Sequence, residues 1–245
     1  MPGWLDAALV VLFAAVWPLV DYFYLWPRHE RAVDAGDPNA RSRSYMVTLC
    51  TLWVFAAAVV AVMLSAGRPL SFLLLRMPHG WRLWLGATLA VVYLVQILQQ
   101  HGAIARKPIR MARLRETLKP LRALVPHTPR EYRLFVPLSI TAGVCEELLF
   151  RGYLVWVLQH WLGLWAAAGA SMVIFGLGHS YQGWQFGVRA FFAGVAMGVL
   201  ALATGSLLPG IVMHALLDLG GGSITYMVMR ESPARAPEGA DSGCE

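Results

Sequence analysis

Residues 145–152 read CEELLFRG, which sets two carboxylates and a guanidinium inside an otherwise apolar run. A charged side chain near the middle of a bilayer costs roughly 2.5–3.5 kcal/mol on insertion scales, so three within one short stretch require partners. Helical spacing supplies one of them. Glu147 and Arg151 are four residues apart and lie about 40° from each other at 100° per residue, which favours an ion pair, whereas Glu146 is turned about 140° from Arg151. The arginine therefore neutralises Glu147 and leaves Glu146 to find its partner on another helix.

The surrounding chain is built for lipid. Its 245 residues are 58% hydrophobic and only 14% charged, with a mean hydropathy of +0.55, against about 25% charged residues in an ordinary soluble domain. This composition predicts an integral membrane protein of the all-α class, a polytopic transmembrane helix bundle. Apolar stretches long enough to cross about 30 Å of hydrocarbon predict seven spans, at 4–26, 45–66, 82–100, 134–159, 161–179, 184–204 and 207–229. The piece PLSFLLLRM at 69–77 is too short to span and reads as interfacial or re-entrant, an eighth partial span being the alternative. No basic segment precedes Trp4, and the first apolar run is too long for the core of a signal peptide, so it reads as the first span. The chain divides into N-terminal transmembrane helices with a basic cytoplasmic segment (1–133), a late group of helices (134–229), and a polar, Pro- and Gly-rich tail (230–245) expected to be disordered.

Orientation follows from Lys and Arg. Arg28, Arg31, Arg41 and Arg43 lie in one loop, and Arg106, Lys107, Arg110, Arg113, Arg115, Lys119, Arg122, Arg130 and Arg133 in another. Seven spans put these on one side with Arg189, Arg230 and Arg235, opposite Arg68, Arg76 and Arg82. The N-terminus is expected outside and the C-terminus in the cytoplasm. The same bookkeeping accounts for the net charge of +6 without nucleic acid. A basic stripe beside membrane spans is expected to lie on anionic lipids. The tryptophans read as interfacial anchors. Cys50, Cys145 and Cys244 are too far apart for a CxxC site and give no disulfide framework, and Cys145 reads as packing.

Ionisable residues inside the spans are few: Glu146, Glu147 and Arg151 in the fourth, His179 at the end of the fifth, His214 and Asp218 in the seventh. Asp6 and Asp21, near the ends of the first span, read as reaching water at the interface, and His29, His79, His101, His127 and His160 fall in loops or at span ends. In MHALLDL, His214 and Asp218 share a helix face. Scattered buried charges cost far more than clustered ones, so the late helices are expected to converge on one polar site. Two mechanisms fit such a set. Glu146, His179, His214 and Asp218 could ligate Zn²⁺ and leave a position for the attacking water. Alternatively, Glu146 and His179 could activate water directly while His214 and a neighbour stabilise the oxyanion. Both are hydrolytic, and the HExxH pattern of soluble zinc proteases is absent.

Taken in order, EELLFRG (146–152), FGLGH (175–179) and HALLD (214–218) resemble the three motifs of the CPBP family of intramembrane proteases, which includes the CAAX prenyl endopeptidases and bacterial proteins linked to bacteriocin maturation and self-immunity. The similarity covers about 134–220, making 134–229 the CPBP-like catalytic helices. The resemblance implies that Glu146 and His179 activate the catalytic water, that Glu147 and Arg151 brace the site, and that His214 with residue 218 binds the oxyanion or a metal. It implies a membrane-anchored or lipid-modified protein or peptide as substrate and a bacterial inner-membrane location. Where CAAX endopeptidases similar to this chain carry Asn, it has Asp218, and an ionised Asp has no proton to give an oxyanion. Asp218 could instead accept a hydrogen bond from His214, ligate a metal, or remain protonated. The alternatives to a protease are a non-catalytic immunity or scaffold protein that keeps the fold, and a proton-coupled transporter, for which the expected matching halves are missing. Gly194 and Gly198 read as ordinary membrane-helix glycines, and the run after Asp218 (LGGGS, 219–223) as a hinge.

Overall fold

The computed structural model describes residues 1–230, and the tail expected to be disordered lies outside the described residues from 231 onward. The described chain is helical, without a strand. Helix α1 (Trp4–Asp34) is continuous and contains two π-helical segments. It is followed by α2 (Ala40–Ser65), a short 3₁₀ turn at Leu70–Leu73, α3 (Trp81–Ala105) and the basic α4 (Pro108–Leu118). Helix α5 runs without interruption over 129–162, then come α6 (Leu164–Gly178), α7 (Trp184–Thr204) and α8 (Leu208–Met229).

By length and composition, α1, α2, α3, α7 and α8 can each cross a membrane, five helices in all. The expected count of seven to eight is not reached on that measure. The span expected at 134–159 corresponds to α5, whose middle carries Glu146, Glu147 and Arg151, and the one at 161–179 to α6, which has only 15 residues. At 1.5 Å per residue α6 is about 22 Å long, short of the ~30 Å of hydrocarbon. The 69–77 segment is not a span either: it folds back as the 3₁₀ turn, with Leu73 fully buried and the Leu74 carbonyl accepting from Leu207 N at 3.0 Å.

Contacts at the helix ends sort the loops onto two faces. On one, His29 Nε2 bonds the Ala123 carbonyl at 2.8 Å, Arg122 pairs with Asp34 at 2.6 Å, Arg41 with Glu131 at 3.4 Å, and Arg115 donates to Val228 O at 2.7 Å. On the other, Arg76 Nε donates to Gly205 O at 2.6 Å, and Asp6 takes Arg68 at 2.8 Å, Tyr153 Oη at 2.8 Å and Gly3 N at 2.6 Å. Asp6 does not reach out to water as its position near the end of the first span suggested. It is 1% exposed and fully partnered, a clamp holding α1 to α5.

Helix α5 is the centre of the bundle, packed between α2 and α8. Its start is fixed by a capping box. Thr128 Oγ1 accepts from Glu131 N at 3.2 Å, and Glu131 returns by accepting from Thr128 N at 3.0 Å, with Pro129 in the first turn where its missing N–H costs nothing. Phe13, Phe55, Val59, Met63, Leu149 and Tyr153 form the core around its middle.

Candidate active site

The CEELLFRG stretch forms the central section of α5, and there the helix changes pitch: Glu147–Leu154 is π-helical. An angular argument at 100° per residue therefore does not hold across it, because π turns bond i to i+5. The ion pair expected between Glu147 and Arg151 is nonetheless made, at 3.2 Å, with side chains 0% and 3% exposed. It is an electrostatic contact without hydrogen-bond alignment. Glu147 Oε2 and all three guanidinium nitrogens have no hydrogen-bonding partner among the described residues. The guanidinium instead stacks on Phe175, 4.0 Å from the ring centre, and a Cβ at Gly194 would lie 2.9 Å from its Nη2. Gly194 is thus the seat of the arginine and not an incidental membrane glycine.

Glu147 has a second partner. Its Oε1 accepts from His214 Nδ1 at 2.8 Å, which turns His214 Nε2 away from Glu147 and toward the carboxylates of Glu146 and Asp218. The Phe175 carbonyl lies 2.8 Å from His179 Nδ1, and because a carbonyl can only accept, that nitrogen carries a proton and Nε2 is left facing the site. Both Nε2 atoms converge on one atom. Glu146 Oε2 lies 3.9 Å from His179 Nε2 and 3.7 Å from His214 Nε2, and it is buried without a hydrogen-bonding partner among the described residues. Asp218 Oδ2 is 3.8 Å from His214 Nε2, too far for the direct hydrogen bond considered above, and its side chain is 38% exposed. His214 is oriented by Glu147 rather than by Asp218.

A carboxylate oxygen buried without a hydrogen bond is costly unless a donor or a cation lies beside it. Separations of 3.7–3.9 Å lie between the roughly 3.4 Å of two ligands on one tetrahedral zinc and the roughly 4.5 Å of two acceptors sharing one water. Among the described residues, no group of three or more His, Cys, Asp and Glu is gathered as a metal site. No step is therefore derived through Zn²⁺ at Glu146, His179, His214 and Asp218.

Residues 129–220 match the family described as "Type II CAAX prenyl endopeptidase Rce1-like". Over this segment the chain is similar to the CPBP family. The matched segment begins at the capping box of α5, and all six residues named at the sequence level lie inside it. No curated protein and no solved structure matches the chain. The CPBP family is one of membrane-embedded proteases acting on membrane-associated protein substrates, and this chain is an integral membrane protein.

The CPBP motif residues do not enclose the site alone. A cavity of about 110 Å³ opens beside Glu146 and His179, and its other walls are Trp17, Pro18 and Asp21 of α1, Thr48, Thr51 and Phe55 of α2, and Tyr181. Its position in the sequence put Asp21 at the lipid–water interface; it faces the cavity beside Glu146 and His179. The signal that singled out Glu146, an acid within an apolar run, applied equally to Asp21. Tyr181 follows His179 in a 3₁₀ turn and stacks edge-on with Trp26 at 4.9 Å, and burial pushes its phenol above its usual range. His29, His101 and His160 bond backbone carbonyls away from the site, as their positions predicted.

Proposed function

We propose that this chain is an intramembrane endopeptidase of the glutamate type, hydrolysing a peptide bond of a membrane-anchored or lipid-modified protein. The observation that carries the reading is the unpartnered, buried Glu146 Oε2 facing the His179 and His214 imidazoles. A water held there donates one proton to Glu146 and the other to His179 Nε2. Its oxygen attacks the scissile carbonyl as Glu146 takes the first proton. Glu146 then returns that proton to the leaving nitrogen, so the C–N bond breaks and the new C–O bond stays, while His179 Nε2 takes the second proton of the water, and the products are a carboxylate, a neutral amine and a protonated His179. The role of His214 is to hold the second side of the site, oriented by Glu147, whose negative charge Arg151 balances. Asp218, set off from the imidazole and half open, contacts the substrate or its water rather than the oxyanion.

The test compares membrane proteomes of cells carrying the wild-type chain or Glu146→Ala. The expected result is a set of protein termini present only with the wild type. Identical termini in both strains would overturn proteolysis and favour a scaffold or immunity protein that keeps the fold.

A further inference from the structure

A second cavity, of about 310 Å³, adjoins the first and shares Trp17, Asp21, Thr48 and Tyr181 with it. It lies between α1 and the start of α2 and reaches the basic face, where Arg28, His29 and Arg43 form its outer walls. The rim cations are already engaged. Arg43 is paired with Asp37 at 2.6 Å, Arg28 lies 3.8 Å over the Tyr24 ring, and His29 bonds Ala123 O. Asp21, at the inner end, makes no hydrogen bond among the described residues, and its electrostatic partner there is His179, which lines the first cavity with it. A carboxylate walled by Trp17 and Tyr181 without a hydrogen-bond donor is costly, and a cationic ligand offsets that cost.

We propose that the 310 Å³ cavity receives the part of the substrate on the carboxyl side of the cleaved bond, and that Asp21 binds the amino group that cleavage creates. This rests on the proteolytic reading above. The hydrolysis leaves the new amine beside Glu146, and protonation turns it into an ammonium. Asp21 stands across the same cavity and is the carboxylate not occupied in activating water. The ammonium moves from Glu146 to Asp21, and the fragment leaves by the basic face. Asp21 lies in α1, outside the CPBP segment, so it is a specificity and release residue that this chain adds to the family's motifs.

One test needs no substrate. The full chain in proteoliposomes carries Thr48→Cys in a Cys50→Ser, Cys244→Ser background, with the background protein as control for buried Cys145, and is treated with methanethiosulfonate reagents bearing a trimethylammonium or a sulfonate group. The cationic reagent is expected to react at least about fivefold faster than the anionic one, and Asp21→Asn should bring the ratio near one. Equal rates in the Asp21 protein, a preference for the anion, or no labelling would overturn the proposal. A second test uses a peptide spanning a cleavage site found in the proteome comparison. Asp21→Asn should lower kcat about tenfold with little change in KM, and Asp21→Glu should restore most of it. The free-amine product should inhibit the wild type more strongly than its N-acetylated form, and Asp21→Asn should erase the difference. An unchanged kcat and unchanged inhibition would sink the proposal while leaving proteolysis standing. If Glu146→Ala loses no termini, the proteolytic reading fails on its own evidence, and the reagent ratio still reports on Asp21.

Discussion

Glu146 and Glu147 are neighbours in the chain and opposites in environment. Glu147 is sealed, bound to Arg151 and His214, and contributes structure, whereas Glu146 is held without a partner beside a cavity. Removing one member of a buried pair leaves a stranded charge, which costs about 3–5 kcal/mol, while removing both can be nearly neutral. Glu147→Gln and Arg151→Met should therefore each lower the melting temperature of the detergent-solubilised protein sharply. The double variant should melt above either single one, and a double variant melting below both would show that the pair is not what stabilises this section of α5. By the same logic Glu146→Gln should melt within a few degrees of the wild type and lose cleavage altogether. The glutamate-type mechanism also makes a prediction about metal. Purified protein should hold well under one zinc per chain and cleave in the presence of chelator, and stoichiometric zinc lost on His214→Ala would hand the water-activating role to a metal ion.

At the scale of the helices, the pattern of apolar stretches located the long elements, because a segment crossing lipid must satisfy its backbone internally and be largely apolar, although α1 runs on to Asp34, eight residues past its expected end. The charged middle of α5 was legible for the same reason, since burying three charges leaves few arrangements. What the sequence could not express is where backbones touch. The π-helical section has no composition signature, and the glycines look alike in the chain but differ in space. The run after Asp218 does not hinge. Helix α8 continues through it, and Gly220 and Gly222 are seats for Ile97 and Phe135. A Cβ at Gly143 would meet the Ile211 carbonyl at 2.9 Å and Ala215 N at 3.0 Å, rigid backbone on α8. At Gly198 the obstacle is the mobile end of Met172. Overpacking against backbone costs roughly 1–3 kcal/mol, and a flexible side chain can move aside. Gly143→Ala should thus lower the melting temperature clearly more than Gly198→Ala, and the reverse order would show that the α5–α8 approach has slack.

For the whole molecule, the two faces defined by the end contacts carry unequal charge. The face joining 35–39, 106–128 and residue 230 holds α4 and most of the arginines, while the opposite face holds Arg68, Arg76 and Arg82 with Asp6. Because Lys- and Arg-rich loops resist translocation, we propose that the basic face lies in the cytoplasm and against anionic lipid. In that placement the turn after His179 would open the site to the cytoplasmic side through the paired cavities. Reporter fusions check this arrangement. A fluorescent protein joined after residue 230 should fold and fluoresce, alkaline phosphatase joined there should be inactive, and alkaline phosphatase joined within 66–69, on the opposite face, should be active. Exchanging Arg110 and Arg113 together for Gln should leave the helices intact yet yield mixed orientation, because those side chains carry charge at the basic face, whereas Arg115 also ties α4 to the Val228 carbonyl. A single unaltered orientation in that variant would assign topology to the remaining basic loops and remove α4 from the argument.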